Sequence, residues 1–478
     1  MRNIMAASVF ALLAGCAVGP DYERPQVDLP QTWPTKAGID QSTAAVSDRW
    51  WTVFGDPQLD MLVEEALAHN RDLLSAGQRV LEARAQARVA DTYLMPVVSG
   101  NVSADKSKSS LAGSFPPPPG VARTTNNYRA TLDVSWEIDL FGRYRRDSES
   151  ALARFFEQEA AQEALRLSLA AQVCEQYFAL LALDEREAVT RRTLESRRET
   201  VELFRKRLAA GVIPSYVLYQ AQAEEAVVRS QLAQIRQARE LQESALAVLL
   251  GRSPRHILEG AVARGSPAGT ADITVPAGIP SELLLRRPDL RQAEQNLIAA
   301  NAQIGAVKAQ IFPAITLTGF YGSESTALSQ LFTGPAGVYQ FAAAIAQPIF
   351  TGGRNIYGVH AAEARQQLSL LSYQNAVASA FREVRDALSI YGGSREILDA
   401  ESQRLGALET TYNEITKRYE GGVANRLEVL DTERQLLEAQ LNRVDAQRNS
   451  RTAVAGLFKA LGGGWTPPPA EENAAATQ

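Results

Sequence analysis

The second half of the chain repeats the first, and this duplication limits the possible folds more than any other feature. A shift of 211 residues carries Tyr128 onto Tyr339, Ile138 onto Ile349, Gly142 onto Gly353 and Arg143 onto Arg354. The same shift pairs Arg207 with Arg418, Gly211 with Gly422, Val212 with Val423, Leu250 with Leu461 and Gly251 with Gly462. Upstream the shift is 217, carrying Asp72-Leu73 onto Asp289-Leu290 and Pro96 onto Pro313. The difference falls between Pro96 and Tyr128, where the first copy holds Phe115-Pro116-Pro117-Pro118-Pro119-Gly120, so a surface loop takes up the insertion. Many short repeats would stack as a solenoid; two long ones make two halves of one body.

The first residues carry one positive charge, Arg2, then an apolar run from Ile4 through Ala14 that ends in Leu13-Ala14-Gly15-Cys16. This is a secretory signal with a small-residue cleavage site, too short for a permanent membrane helix. It resembles a lipobox, in which Cys16 is lipidated and becomes the new N-terminus. One acyl chain anchors weakly, so multiple acylation is expected. Ala17, not aspartate, follows, which among lipoproteins implies export to the outer membrane. Without the signal, 48 basic and 54 acidic residues remain, a balance that argues against nucleic acid as a partner. Cys174 is the one other cysteine, so no intrachain disulfide is possible, and it reads as a buried helical residue.

After the signal no apolar run reaches the length of a membrane helix, so any span must be made of strands. Tyr128, Ala130, Leu132, Val134, Trp136 and Ile138 alternate with Arg129, Thr131, Asp133, Ser135 and Glu137, which predicts an amphipathic strand. Tyr339, Phe341, Ala343, Ile345 and Ile349 repeat that parity. Weaker strands precede each, over Val97–Ser110 and Ala314–Ser325, giving one long hairpin per copy.

The rest is helical. Asp56-Pro57 predicts an N-cap and first turn after Trp50-Trp51, opening a helix that runs to about Leu94. Heptad-spaced Leu180, Leu194, Val201 and Leu208, and in the second copy Leu430, Leu437, Val444 and Phe458, predict coiled-coil-like seams. The stretch from Ser148 to Leu208 lacks proline, and a helix of ~60 residues there would run ~90 Å. Glycine turns at Gly211 and Gly421-Gly422 return each long helix through an antiparallel partner. Residues 16–47 are proline-rich and read as a tether from the lipid or a strap lying on the body. The expected division is signal 1–15, anchored segment 16–47, first repeat 48–260, second repeat 261–465 and a disordered tail 466–478.

Two hairpins give four strands, and a membrane barrel needs at least 8. The chain therefore cannot close a barrel alone; two copies give 8 strands and a filled interior, three give 12 and a lumen. Lipobox Cys16, Trp50-Trp51 with Asp56-Pro57, Arg287-Pro288-Asp289-Leu290, Phe312-Pro313, Pro348-Ile349-Phe350 and the glycine helix tips resemble a known family. That family is the lipoprotein branch of the TolC-like outer membrane factors serving resistance-nodulation-division pumps, and the likeness runs from Cys16 to Leu461. It implies a mostly α fold with a membrane β-barrel: a homotrimer with a 12-stranded barrel, four strands per chain, continued by a long α-helical barrel in the periplasm. It also implies docking to a periplasmic adaptor and an inner-membrane pump, and passive conduction of small toxic molecules.

The match extends to Gly422–Asp431, the family's periplasmic entrance helix. By it Asp431, with Glu428, would face the pore as a threefold carboxylate ring favouring cations; otherwise both are solvated acids suited to a helix N-terminus. The first copy has Gln220 and Val217 at those places. Arg207 with Gly211, and Arg418 with Gly422, cap helix ends, and the resemblance adds contact with the adaptor. No enzyme is indicated: His69, His256 and His360 are scattered without metal-ligand spacing, and no phosphate loop or nucleophile elbow is present. No cofactor is expected beyond the lipid on Cys16. A type I secretion channel fits the same tube, and a pore-free coiled-coil scaffold fits less well, having no use for amphipathic strands.

Overall fold

The computed structural model describes residues 17–30, 47–114, 116–266, 273, 283–284 and 286–465. The signal, Cys16 and the tail beyond Trp465 lie outside the described residues. The elements in order are helices α1 (Pro57–His69) and α2 (Arg71–Thr92), strands β1 (Val97–Lys108) and β2 (Thr124–Ile138), then helices α3 (Arg143–Ala209), α4 (Ser215–Leu249) and α5 (Pro254–Glu259). The second copy follows with α6 (Pro288–Ala309), β3 (Ala314–Ser325), β4 (Gly337–Ala346), α7 (Arg354–Glu420) and α8 (Arg426–Ala460). The duplication is kept to the residue, because α3 and α7 are each 67 residues long and α4 and α8 each 35.

The chain forms two compact units, each built from both copies. The first comprises Met1–Gln26, Val80–Gln158 and Ala293–Tyr373 and contains the sheet. Its strands pair antiparallel in the order β1-β2-β3-β4, so among the described residues β1 and β4 are free edges. Register puts Val98, Val102, Leu132, Val134, Tyr321, Tyr339, Phe341 and Ile345 on one exposed apolar face. β4 ends at Ala346, so Ile349, expected on that strand, lies beyond it; Pro348 lacks the amide to continue the ladder.

The N-terminal segment lies on this unit as a strap. Val18 N donates to Phe141 O at 3.1 Å, and Asn301 donates to Pro20 O at 3.0 Å. Arg24 clamps Glu294 with two bonds of 2.6 and 2.7 Å, and Arg146 reaches Asp21 at 2.7 Å. Gly19 crosses Gly305 so closely that a Cβ on Gly19 would sit 2.5 Å from the Gly305 Cα. Side chains are excluded there.

The second unit comprises Val27–Arg79, Glu159–Gln292 and Gln374–Gln478. Asp56 caps α1 through Gln58 N at 2.9 Å with Pro57 in the first turn, as the sequence predicts, and accepts the Tyr177 hydroxyl at 2.7 Å. Cys174 is buried and free, and burial pushes its thiol up. The single helix expected from Pro57 to Leu94 is instead two. Asn70 interrupts it, its Oδ1 accepting Asp72 N and Leu73 N at 3.0 Å while Nδ2 donates to Leu249 O at 2.9 Å. A short polar side chain that caps the following helix competes with helix continuation. Among the described residues no helix is long and apolar enough to cross a membrane.

The break recurs in the second copy with different chemistry. Asn70 aligns with Arg287, whose Nη1 donates to Ala460 O at 3.0 Å, the counterpart of Leu249 O. A Cβ on Gly251 would meet His69 O at 2.1 Å, and one on Gly462 would meet Arg286 O at 2.2 Å. The end of each returning helix thus packs under the same backbone kink.

Charge clusters join the long helices. Glu187, its side chain 5% exposed, takes Arg191 at 2.5 Å, Arg236 at 3.0 Å and Arg239 at 2.9 Å. Burial alone pushes this carboxyl up, but the arginine hydrogen bonds and charges outweigh it and hold the group below its ordinary 4.5. A depressed carboxylate stabilises the fold above its unfolded value and ceases to as pH falls through the lowered one. The contribution of Glu187 to the thermal midpoint should therefore be constant above about pH 5 and fade below about pH 4, with Glu187→Gln losing about 1 to 3 kcal/mol at neutral pH and flattening the acid limb. An unchanged acid limb in the variant would exclude Glu187 as a source of the fall.

Candidate functional site

The two glycine tips carry the candidate residues, and both belong to the second unit. At the first, Gly211 has φ +72°, Val212 N donates to Arg207 O at 2.9 Å, and Ala210 N to Lys206 O at 3.1 Å. At the second, Gly422 has φ +74° and Val423 N donates to Arg418 O at 2.8 Å. This is a Schellman-type stop, in which a left-handed residue lets the next amide reach back to an orphan carbonyl. The pairing of Arg207 with Gly211 and of Arg418 with Gly422 is thus a backbone relation. Both arginine side chains are exposed, and so are Val212 and Val423. Each tip presents a cation beside an apolar residue, a chemistry suited to a polar and apolar partner surface.

Asn425 opens α8, its side chain accepting Glu428 N at 3.0 Å. Glu428 is exposed in the first turn, where the helix dipole favours an acid. Asp431 is held by its own helix: Arg434 donates at 2.6 Å and Gln435 at 2.6 Å. Its charge is therefore paired within the chain, although the side chains remain 47% and 74% exposed. An exposed pair of this kind is worth about 0.5 kcal/mol, so a neighbouring charge can compete for either partner.

Contacts that the sequence reading did not single out fasten the second tip to the first copy. Arg426 lies over the Phe204 and Tyr419 rings at 5.7 and 5.6 Å, with Nη2 3.5 Å from Thr200 Oγ1. Higher up, Arg197 pairs with Glu433 at 2.7 Å, with side chains 6% and 14% exposed. Tyr412 donates to the same Glu433 at 3.4 Å. One signal was available: a cation in the first turn of a helix, as at Arg426, opposes the dipole and implies a use elsewhere. The first tip is closed by its own cluster, Val201, Phe204, Leu218 and Ala221.

Known proteins share the duplicated architecture of this chain. The family model described as outer membrane efflux protein matches residues 62–252 and again 279–463, once per copy. The probable outer membrane lipoprotein SilC of Salmonella typhimurium is 33% identical over 97% of this chain and 99% of its own. The solvent efflux pump outer membrane protein SrpC of Pseudomonas putida is 33% identical over 96% and 98%. The outer membrane channel CmeC of Campylobacter jejuni superposes with a TM-score of 0.91 at 25% identity, covering 96% of this chain and 98% of that one. With two matched copies and relatives aligned end to end, the chain belongs to the outer membrane efflux protein family.

Proposed function

We propose that three copies close a 12-stranded barrel in the outer membrane and, coupled to a periplasmic adaptor and an inner-membrane resistance-nodulation-division pump, conduct small toxic molecules outward. The observation that carries this is the four-stranded sheet with both edges bare. Unpaired strand edges in hydrocarbon each cost several kcal/mol, and only closure removes them. Setting β1 of one copy against β4 of the next pairs every edge, and a barrel of this strand number leaves a lumen. The opposite face, with Arg129, Asp133, Glu137 and Glu324, is polar enough to line water. SilC's description as a lipoprotein supports lipidation of Cys16, and SrpC's place in a solvent pump supports the pump class. In this reading Asp431 and Glu428 guard the entrance, and Arg207, Gly211, Arg418 and Gly422 meet the adaptor.

Native mass spectrometry of the full-length protein from membranes tests assembly and anchor together. The expected mass is three chains, each beginning at acylated Cys16. A folded monomer would sink the trimer. Unmodified chains, or chains beginning at Met1, would sink the lipid and leave the trimer standing.

A further inference from the structure

The sheet separates its charges by face and by end. Register assigns Asp105, Arg129, Asp133, Glu137 and Glu324 to the polar face. The apolar face holds two charged residues among the described strands, Lys106 and Lys108, both at the turn end of edge strand β1 and both exposed. Neither ammonium has an acidic partner among the described residues. Their neighbours on that face are Val98, Val102 and Ala104 along the strand, and Asn126 and Thr124 across it.

Their height can be read from the strand. On β2 the apolar face runs from Ile138 to Tyr128, its last aromatic residue; on the next strands Tyr321 and Tyr339 pair at the level of Leu132, and Phe341 at that of Val134. At a rise of about 3.3 Å per residue and a tilt near 40°, that run spans about 25 Å along the membrane normal, the height of a barrel's apolar band. At the other end Trp136 Nε1 donates to Leu94 O at 3.0 Å, beside the helices. Lys106 pairs with Asn126 and Lys108 with Thr124. The two lysines therefore stand about 5 and 10 Å beyond Tyr128, where the apolar run ends, at headgroup depth, on the side facing lipid.

We propose that Lys106 and Lys108 form a binding site for the phosphate groups of anionic lipid in the outer leaflet, one such site per chain. The proposal rests on the sheet spanning the outer membrane. Charge complementarity supports it: two adjacent cations without partners, on an otherwise uncharged face, meet a layer that is anionic where its lipids carry phosphate. Lysine on a bare edge also deters wrong pairing, but that role applies to any charged position on the strand and does not select the lipid face.

The test is lipid retention by the purified full-length trimer in neutral detergent, counted by native mass spectrometry. The probes are diphosphorylated lipid A, phosphatidylcholine and inorganic phosphate. The wild type should retain lipid A over phosphatidylcholine, and Lys106→Gln with Lys108→Gln should weaken that retention about tenfold. Lys106→Arg with Lys108→Arg should keep it, and thermal stability in phosphatidylcholine bilayers should match wild type in both variants. Equal retention by the Gln variant would overturn the proposal, as would inorganic phosphate displacing lipid A at matched concentration. A Gln variant that loses the trimer in phosphatidylcholine would assign the lysines to strand pairing instead. A wild type that inserts into no bilayer would overturn the membrane reading beneath, a separate and recognisable result.

Discussion

Truncating Arg287 to alanine is expected to destabilise the helical unit by about 2 to 4 kcal/mol, the largest loss foreseen for one side chain outside the sheet. The guanidinium is 8% exposed and serves three acceptors at once. It forks onto Asp289 at 3.0 and 2.7 Å, reaches Glu383 at 2.6 Å, and donates to Ala460 O at the end of α8 at 3.0 Å. Burial opposes the charge, but Asp289 and Glu383 keep the group more basic than usual. Removal leaves two carboxylates facing each other and a helix C-terminus without its cation. Those carboxylates are 42% and 48% exposed, so water screens part of the penalty and the upper end of the range for buried pairs does not apply. Arg287→Lys should recover less than half, because a point charge cannot fork. Denaturant unfolding of the purified protein measures both. A loss under about 0.5 kcal/mol would mean that Gly462 under Arg286 holds this joint without the side chain.

The motif Arg287-Pro288-Asp289-Leu290 stands out in the chain, and its duplicate at Asp72-Leu73 was found by the shift of 217. The break at Asn70 was missed because apolar periodicity runs across it, while Pro288 makes the same break plain in the second copy. Carrying Pro288 back through the repeat would have located it. Periodicity reads a face well and an end poorly, as β4 also demonstrates by stopping at Ala346. The long helices, the two hairpins and the glycine stops were legible because each has a local cause: spacing, alternation or a left-handed turn. The contacts between the two copies at the tips were not. Arg197 with Glu433, and Arg426 with Phe204, join residues more than two hundred positions apart, and no local pattern records such a contact.

Arg434→Ala is expected to make the channel more cation-selective in planar bilayers by roughly threefold, and more sensitive to millimolar divalent ions. The sequence alone suggested a ring of Asp431 carboxylates that favours cations, without naming the partner of each. The structure instead gives each Asp431 an arginine at 2.6 Å on its own helix, so the ring in a trimer would be largely neutral at rest. Removing the arginine bares three carboxylates and raises the local cation concentration. Asp431→Ala has the opposite sign, because it strands three guanidinium groups and should turn the preference toward anions. Both variants should assemble normally, since the pair is exposed and contributes little to stability. The double variant Asp431→Ala with Arg434→Ala should lie close to wild type in selectivity. That near-cancellation is what distinguishes a compensated pair from two independent charges. Unchanged selectivity in all three would remove both residues from the entrance, and the constriction would then be sought where Arg426 and Arg197 fasten the second tip. Loss of cation preference in Asp431→Ala with no change in Arg434→Ala would restore the bare ring, the arginine having turned away in the assembled channel.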